Sequence, residues 1–209
     1  MLRSLVGSEM CIRDSIMIAL YAFVIISFFI TIVDIIIRFP LQSEMIDYND
    51  IQAIVINVLA LLIQIVSFAY GFVNAIRGML SPKRMGAVIT AFFAATCITG
   101  TGNMVIYSNV QIVLWWIVLI IPNIVGAVAT FAYFVSGKKS KIYSIIIYLV
   151  AIWGMFRIIY SNYNLIVHAN QYLSMNSTVR LVLEIAIHCL VIYQTYVLWI
   201  KRQNATDIS

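Results

Sequence analysis

The chain has 209 residues, of which 63% are hydrophobic and 10% charged, with a mean hydropathy of +1.01. That excludes an ordinary soluble domain, a disordered chain, a coiled coil and collagen, and leaves an integral membrane protein. The net charge of +5 points away from nucleic acid, because the basic residues stand in short turns between apolar runs.

From the N-terminus, Leu5 to Ser15 reads Leu-Val-Gly-Ser-Glu-Met-Cys-Ile-Arg-Asp-Ser. This run resembles a translated transposase adapter of the kind used to prepare sequencing libraries, and it lacks the order of a signal peptide. Residues 1–15 are therefore set aside as non-native, and residues 16–209 are taken as a single transmembrane domain.

A span of the hydrocarbon layer takes about 20 mainly apolar residues. Six stretches qualify, at roughly 16–37, 52–76, 86–107, 111–135, 142–161 and 179–200. An all-α, polytopic bundle of six transmembrane helices is expected, with the lipid bilayer as its surroundings. Asn162 to Thr178 is expected to be the longest connector and to hold His168. Arg77, Lys83, Arg84, Lys138, Lys139, Lys141, Lys201 and Arg202 lie on one side, against Arg38 and Arg180 on the other. The positive-inside rule then puts the even-numbered turns and the C-terminus in the cytoplasm. Compact loops and an Ile/Tyr/Asn-rich, Ala-poor usage suggest a bacterial cytoplasmic membrane.

Charged side chains inside hydrocarbon cost about 2.5–3.5 kcal/mol each on insertion scales, so each needs an account. Asp34 on helix 1 can pair with Arg38 one turn on. On helix 2, Asn57 and Gln64 share a face and read as amides that join helices. In helix 3, Gly86, Thr90 and Ala94 form a small-residue stripe for close packing. Gly100-Thr101-Gly102 would either pack closely or loosen the helix and open its carbonyls to a ligand. Pro122-Asn123 predicts a kink in helix 4.

Helix 6 carries Glu184 and His188 one turn apart, with Arg180, Thr195 and Arg202 near the same stripe, which should face protein or water. Arg157 on helix 5 lies ~22 Å up from its inner start and Glu184 ~8 Å down from its outer start, so in a ~30 Å layer the two share a level. Asp34, Asn57 and Asn103 fall near that plane. Arg157, Glu184, His188, Asp34, Asn57, Gln64 and Asn103 thus form the candidate site for a ligand or ion, against the plainer reading of a structural ion pair. His188 would relay protons or simply pack. Thr195 and Asn74 would continue a polar path to the cytoplasm.

No enzyme motif is present. Glu184-x-x-x-His188 is not the two-histidine zinc signature, and Cys11, Cys97 and Cys189 form neither a CxxC pair nor a disulfide framework. No metal or cofactor is expected. The run Trp115-Trp116-Ile117-Val118-Leu119-Ile120-Ile121-Pro122-Asn123 resembles the tryptophan-rich helix of nicotinamide riboside permeases over nine residues, while Glu184 and His188 depart from that pattern; no function is taken from it. The expected function is secondary transport or channel-like passage of a small polar solute or ion. The alternative is a non-transporting membrane partner: an assembly subunit, an immunity protein or an anchor.

Overall fold

The computed structural model describes residues 15–30, 32–33, 48–106, 110–137, 140–168 and 175–206. The adapter-like residues 1–14 and the Asp34–Arg38 pair lie outside the described residues. Within them every regular element is helical: α1 (Ser15–Ile30), α2 (Tyr48–Ile76), α3 (Pro82–Ile106), α4 (Val110–Thr130), α5 (Lys141–His168) and α6 (Met175–Thr206). Five of them, α2 to α6, are long and apolar enough to cross a membrane, and α1 is a shorter apolar helix over its described length. The chain is an all-α polytopic bundle.

Helix ends depart most from the sequence expectation. α5 continues to His168 and α6 starts at Met175, so most of the expected connector Asn162–Thr178 is helix. Hydropathy falls at Asn162, but no glycine or proline follows to stop the backbone, and Asn, Tyr and His carry only modest helix penalties. α4 runs through Pro122 and closes in a π-helical turn, Phe131–Val135, where the Ser136 amide donates to the Phe131 carbonyl at 2.9 Å.

At the α2–α3 turn, Gly78 (φ +64°) ends α2 in the left-handed conformation that glycine tolerates best. The Gly78 amide donates to the Ala75 carbonyl and the Met79 amide to the Asn74 carbonyl, a Schellman closure. Arg84 clamps this turn by donating to Asn74 Oδ1 (2.8 Å) and to the Met79 carbonyl (2.6 Å), while Asn74 Nδ2 donates to the Tyr70 carbonyl. An expected path residue is therefore part of a turn.

Consecutive helices from α2 to α6 pack as neighbours, and α3 also touches α6. α1 joins through Tyr21, which meets Phe68 and Gly71 of α2 and pairs with Gln194 of α6. Lipid gives no hydrophobic drive between helices, so close fit has to hold them together. Gly86 of α3 provides it against Phe134, where a Cβ would collide with that residue's own Cβ. Thr90 extends the stripe inward, but Ala94 is exposed. α3 is helical through Gly100-Thr101-Gly102, with Gly100 against Leu119 and Ile120 and Gly102 against Ile56, so these glycines pack rather than loosen the helix.

α6 is the most buried span and α2 the least. Of the polar stripe of α6, His188 and Thr195 are buried and Glu184 is partly exposed, while Leu183 and Val197 are buried as well. Only a narrow line of Val182, Cys189 and Tyr196, seven residues apart, is exposed along its membrane stretch.

Candidate functional site

Arg157 on α5 and Glu184 on α6 meet with Nη2 and Oε2 3.9 Å apart. The Arg157 side chain is 20% exposed and that of Glu184 44%. Both residues lie within membrane-length apolar stretches of their helices, Lys141–Tyr160 and Leu181–Ile200. A separation of 3.9 Å is a Coulombic contact, longer than the 2.7–2.9 Å typical of a charge-assisted hydrogen bond.

His188 sits one turn deeper and is buried. Its Nδ1 lies 2.6 Å from the backbone carbonyl of Glu184, and since a carbonyl only accepts, Nδ1 carries the proton. Nε2 is packed against Gly154 of α5, and the Phe92 ring of α3 meets the imidazole edge-on at 5.4 Å. Nδ1 is thereby committed to the backbone, and the rest of the ring is held by packing between α3 and α5. Gly154 is what lets α5 approach so closely, because any side chain there would occupy the space of the imidazole.

On α5, Trp153, Phe156 and Tyr160 form an exposed aromatic ladder beside Arg157, with ring centroids 6.0 and 6.1 Å apart. They stand four before, one before and three after Arg157, hence on one flank of it. The opposite flank, Gly154 and Ile158, is buried.

Of the seven candidate residues, the structure brings together Arg157, Glu184 and His188. Asn57 and Gln64 are half-buried on α2, and among the described residues no Cα of α2 lies within 8 Å of one on α5 or α6. Asn103 belongs to α3, with its side chain outside the described residues, as is Asp34. Equal height in the membrane therefore does not make these groups one cluster.

Thr195 of the expected inward path, like other hydroxyl and amide side chains in the bundle, bonds a carbonyl of its own helix. Thr195 Oγ1 donates to the Val191 carbonyl (2.8 Å), Thr130 Oγ1 to the Gly126 carbonyl (2.7 Å) and Ser27 Oγ to the Phe23 carbonyl (2.9 Å), each within its own helix. Asn123 Nδ2 does the same with Leu119 (2.7 Å) beside Pro122. The fully buried pair in which Gln194 Nε2 donates to the Tyr21 hydroxyl escapes sequence reading, though a lone amide in the middle of an apolar helix was the available signal.

Among the described residues no three His, Cys, Asp or Glu side chains gather where a metal ion could be held. A depression of about 380 Å³ between α2 and α3 is lined by Ile56, Cys97, Ile98, Thr101 and Gly102 and is mostly apolar. Comparison of the chain with protein families, curated proteins and solved structures finds no match.

Proposed function

We propose that this is a small multi-pass protein of a bacterial cytoplasmic membrane, with its C-terminus inside, that handles a small polar solute or ion at the outer end of α5 and α6. The observation that carries the reading is the Arg157–Glu184 contact. An acid and a base from separate membrane-length helices meet, partly open and farther apart than a closed hydrogen-bonded pair. Intramembrane charges of this kind are costly and tend to mark solute or ion sites. Arg157, whose guanidinium stays protonated, would orient an anionic or polar group, and Glu184 would supply the counter-charge. The orientation is supported by the eight basic residues of the even-numbered turns and C-terminus against two opposite.

The test is uptake by proteoliposomes holding the full chain, with a panel of labelled amino acids, organic acids, nucleosides and monovalent cations. Transport of one class, lost in Arg157→Gln and Glu184→Gln while the protein stays folded, is the expected result. No uptake of any class, with a second protein copurifying in stoichiometric amount, would sink it.

That second outcome is the other reading: a non-transporting assembly subunit, immunity protein or anchor. A separate observation favours it. Thr195 and Asn74, the groups that would extend a path from the pair toward the cytoplasm, are buried and hydrogen-bonded within their own helix and turn.

A further inference from the structure

Between Ile51 and Leu183 the chain carries no aspartate or glutamate. Six basic residues fall there in two turns: Arg77, Lys83 and Arg84 where α2 meets α3, and Lys138, Lys139 and Lys141 where α4 meets α5. The fold brings both turns to one end of the bundle, because Gly86 near the start of α3 packs against Phe134 and Val135 in the π-turn that closes α4.

Orientation in a membrane needs only the Lys/Arg excess, and acidic residues weigh little in it. The lack of acids is therefore a feature beyond topology. It also runs against helix stability. The first turn of a helix favours Asp or Glu, whereas α3 opens with Lys83 and Arg84 and α5 with Lys141, and neither first turn holds an acid. Arg84 is taken up by its bonds to Asn74 and Met79. Arg77, Lys83 and Lys141 are exposed. The acidic residues among those described, Asp50 near the start of α2 and Glu184 nearer the start of α6 than its end, lie away from them.

From this we infer that this end of the bundle binds anionic phospholipid headgroups, whose phosphates stand where carboxylates are missing. Position selects lipid over a soluble acidic partner. Arg77 directly follows α2, Lys83 is the second residue of α3 and Lys141 opens α5, so all three stand where membrane-length helices stop or start. Met79, between Arg77 and Lys83, is a large apolar side chain left exposed in the turn itself. Apolar and basic side chains together suit the boundary of headgroup and acyl chain, where long basic stems reach the phosphates. The inference does not depend on transport, nor on which face of the membrane this end meets.

Native mass spectrometry of the full chain in detergent micelles tests it, with phosphatidylglycerol and phosphatidylcholine of identical acyl chains offered in equal amounts. Both lipids carry a phosphate, and only the first has a net charge. A basic residue beside a span favours anionic lipid by about a factor of five, so we expect phosphatidylglycerol to be retained at least about fivefold better. Arg77→Gln with Lys83→Gln should remove most of that preference. Arg38→Gln with Arg180→Gln, which takes the same charge from the two basic residues assigned to the other side, should leave it intact. The comparison of lipids on the unaltered protein holds whether or not a variant folds. Equal retention of the two lipids overturns the proposal, as does an unchanged preference in folded Arg77→Gln with Lys83→Gln. Equal loss in both double variants also overturns it, by reducing the effect to net charge. Release of the lipid by excess inorganic phosphate would assign the turns to a free anion, and an acidic soluble protein copurifying in place of lipid would assign them to a protein partner; either result overturns the proposal.

Discussion

His188 turns its Nδ1–H back onto the carbonyl of Glu184 and presses its other ring nitrogen into the space left by the missing side chain of Gly154. One histidine thereby fixes the backbone one turn from the charged pair and sets how closely α5 and α6 pack. Gly154→Ala should push the imidazole aside and lower stability by about 1–3 kcal/mol, the usual range for overpacking. Thermal unfolding in detergent measures it. His188→Ala combined with Gly154→Ala should cost less than the sum of the single changes, since the clash needs both partners. Strict additivity would show that the two side chains do not press on each other.

The ion pair itself should contribute modestly to stability. A fully buried pair that loses one member costs about 3–5 kcal/mol, but Glu184 is nearly half exposed and its stranded charge can reach the interface. The lower figure for exposed pairs, about 0.2–1 kcal/mol, is the better guide. Arg157→Gln and Glu184→Gln should each fall near it, and the exchange Arg157→Glu with Glu184→Arg should recover most of the loss. A drop of several kcal/mol in either single variant would mean the pair is sealed from water and headgroups.

Gly78 is a sharper test of the turn. Alanine in the left-handed region costs about 1–2 kcal/mol, so Gly78→Ala should lower stability by that amount. Arg84→Ala would remove two hydrogen bonds from the same turn, those to Asn74 and Met79, and should weaken it further. Hydrogen exchange at the Met79 amide, bonded to the Asn74 carbonyl, reports both.

Tyr21→Phe removes the hydroxyl that Gln194 Nε2 contacts and leaves that amide buried. Hydrogen bonds between membrane helices average ~0.6 kcal/mol and reach ~1.7. A loss of about 1 kcal/mol is expected, largely restored by adding Gln194→Leu. If Tyr21→Phe is silent, α1 is held by its contacts with Phe68 and Gly71 alone.

Orientation is open to direct labelling. Ser136 and Thr178 are exposed at opposite ends of the bundle. In a background where Cys11, Cys97 and Cys189 are replaced by serine, Ser136→Cys should react with an impermeant maleimide only after the membrane is opened. Thr178→Cys should react in intact cells. The reverse pattern would invert the topology.

The spans were legible because about 20 apolar residues per crossing leave few alternatives, and Arg157 with Glu184 was legible for a second reason. Helices consecutive in sequence are usually adjacent in space, so equal height on α5 and α6 was enough to bring the two side chains together. Asn57 and Gln64 met only half of that condition. Their helix packs on α3, and a depth estimate carries no information about position within the membrane plane. The ends of α5 and α6 were hidden because hydropathy marks where lipid stops, while the helix continues until its backbone has reason to break. The inward polar path failed on different grounds: hydroxyl and amide side chains can bond carbonyls of their own helix, and residue type alone does not tell which carbonyl they take.

Because α6 shows lipid little more than the line Val182, Cys189 and Tyr196, it is a keystone laid after the other stones. A chain that stops short of α6 would leave Tyr21 without its amide partner, Gly154 facing an empty slot and Phe92 without the imidazole. Such a chain presents membrane proteases with an unfinished wall, so cellular quality control should recognise truncation here more readily than loss of the peripheral α2.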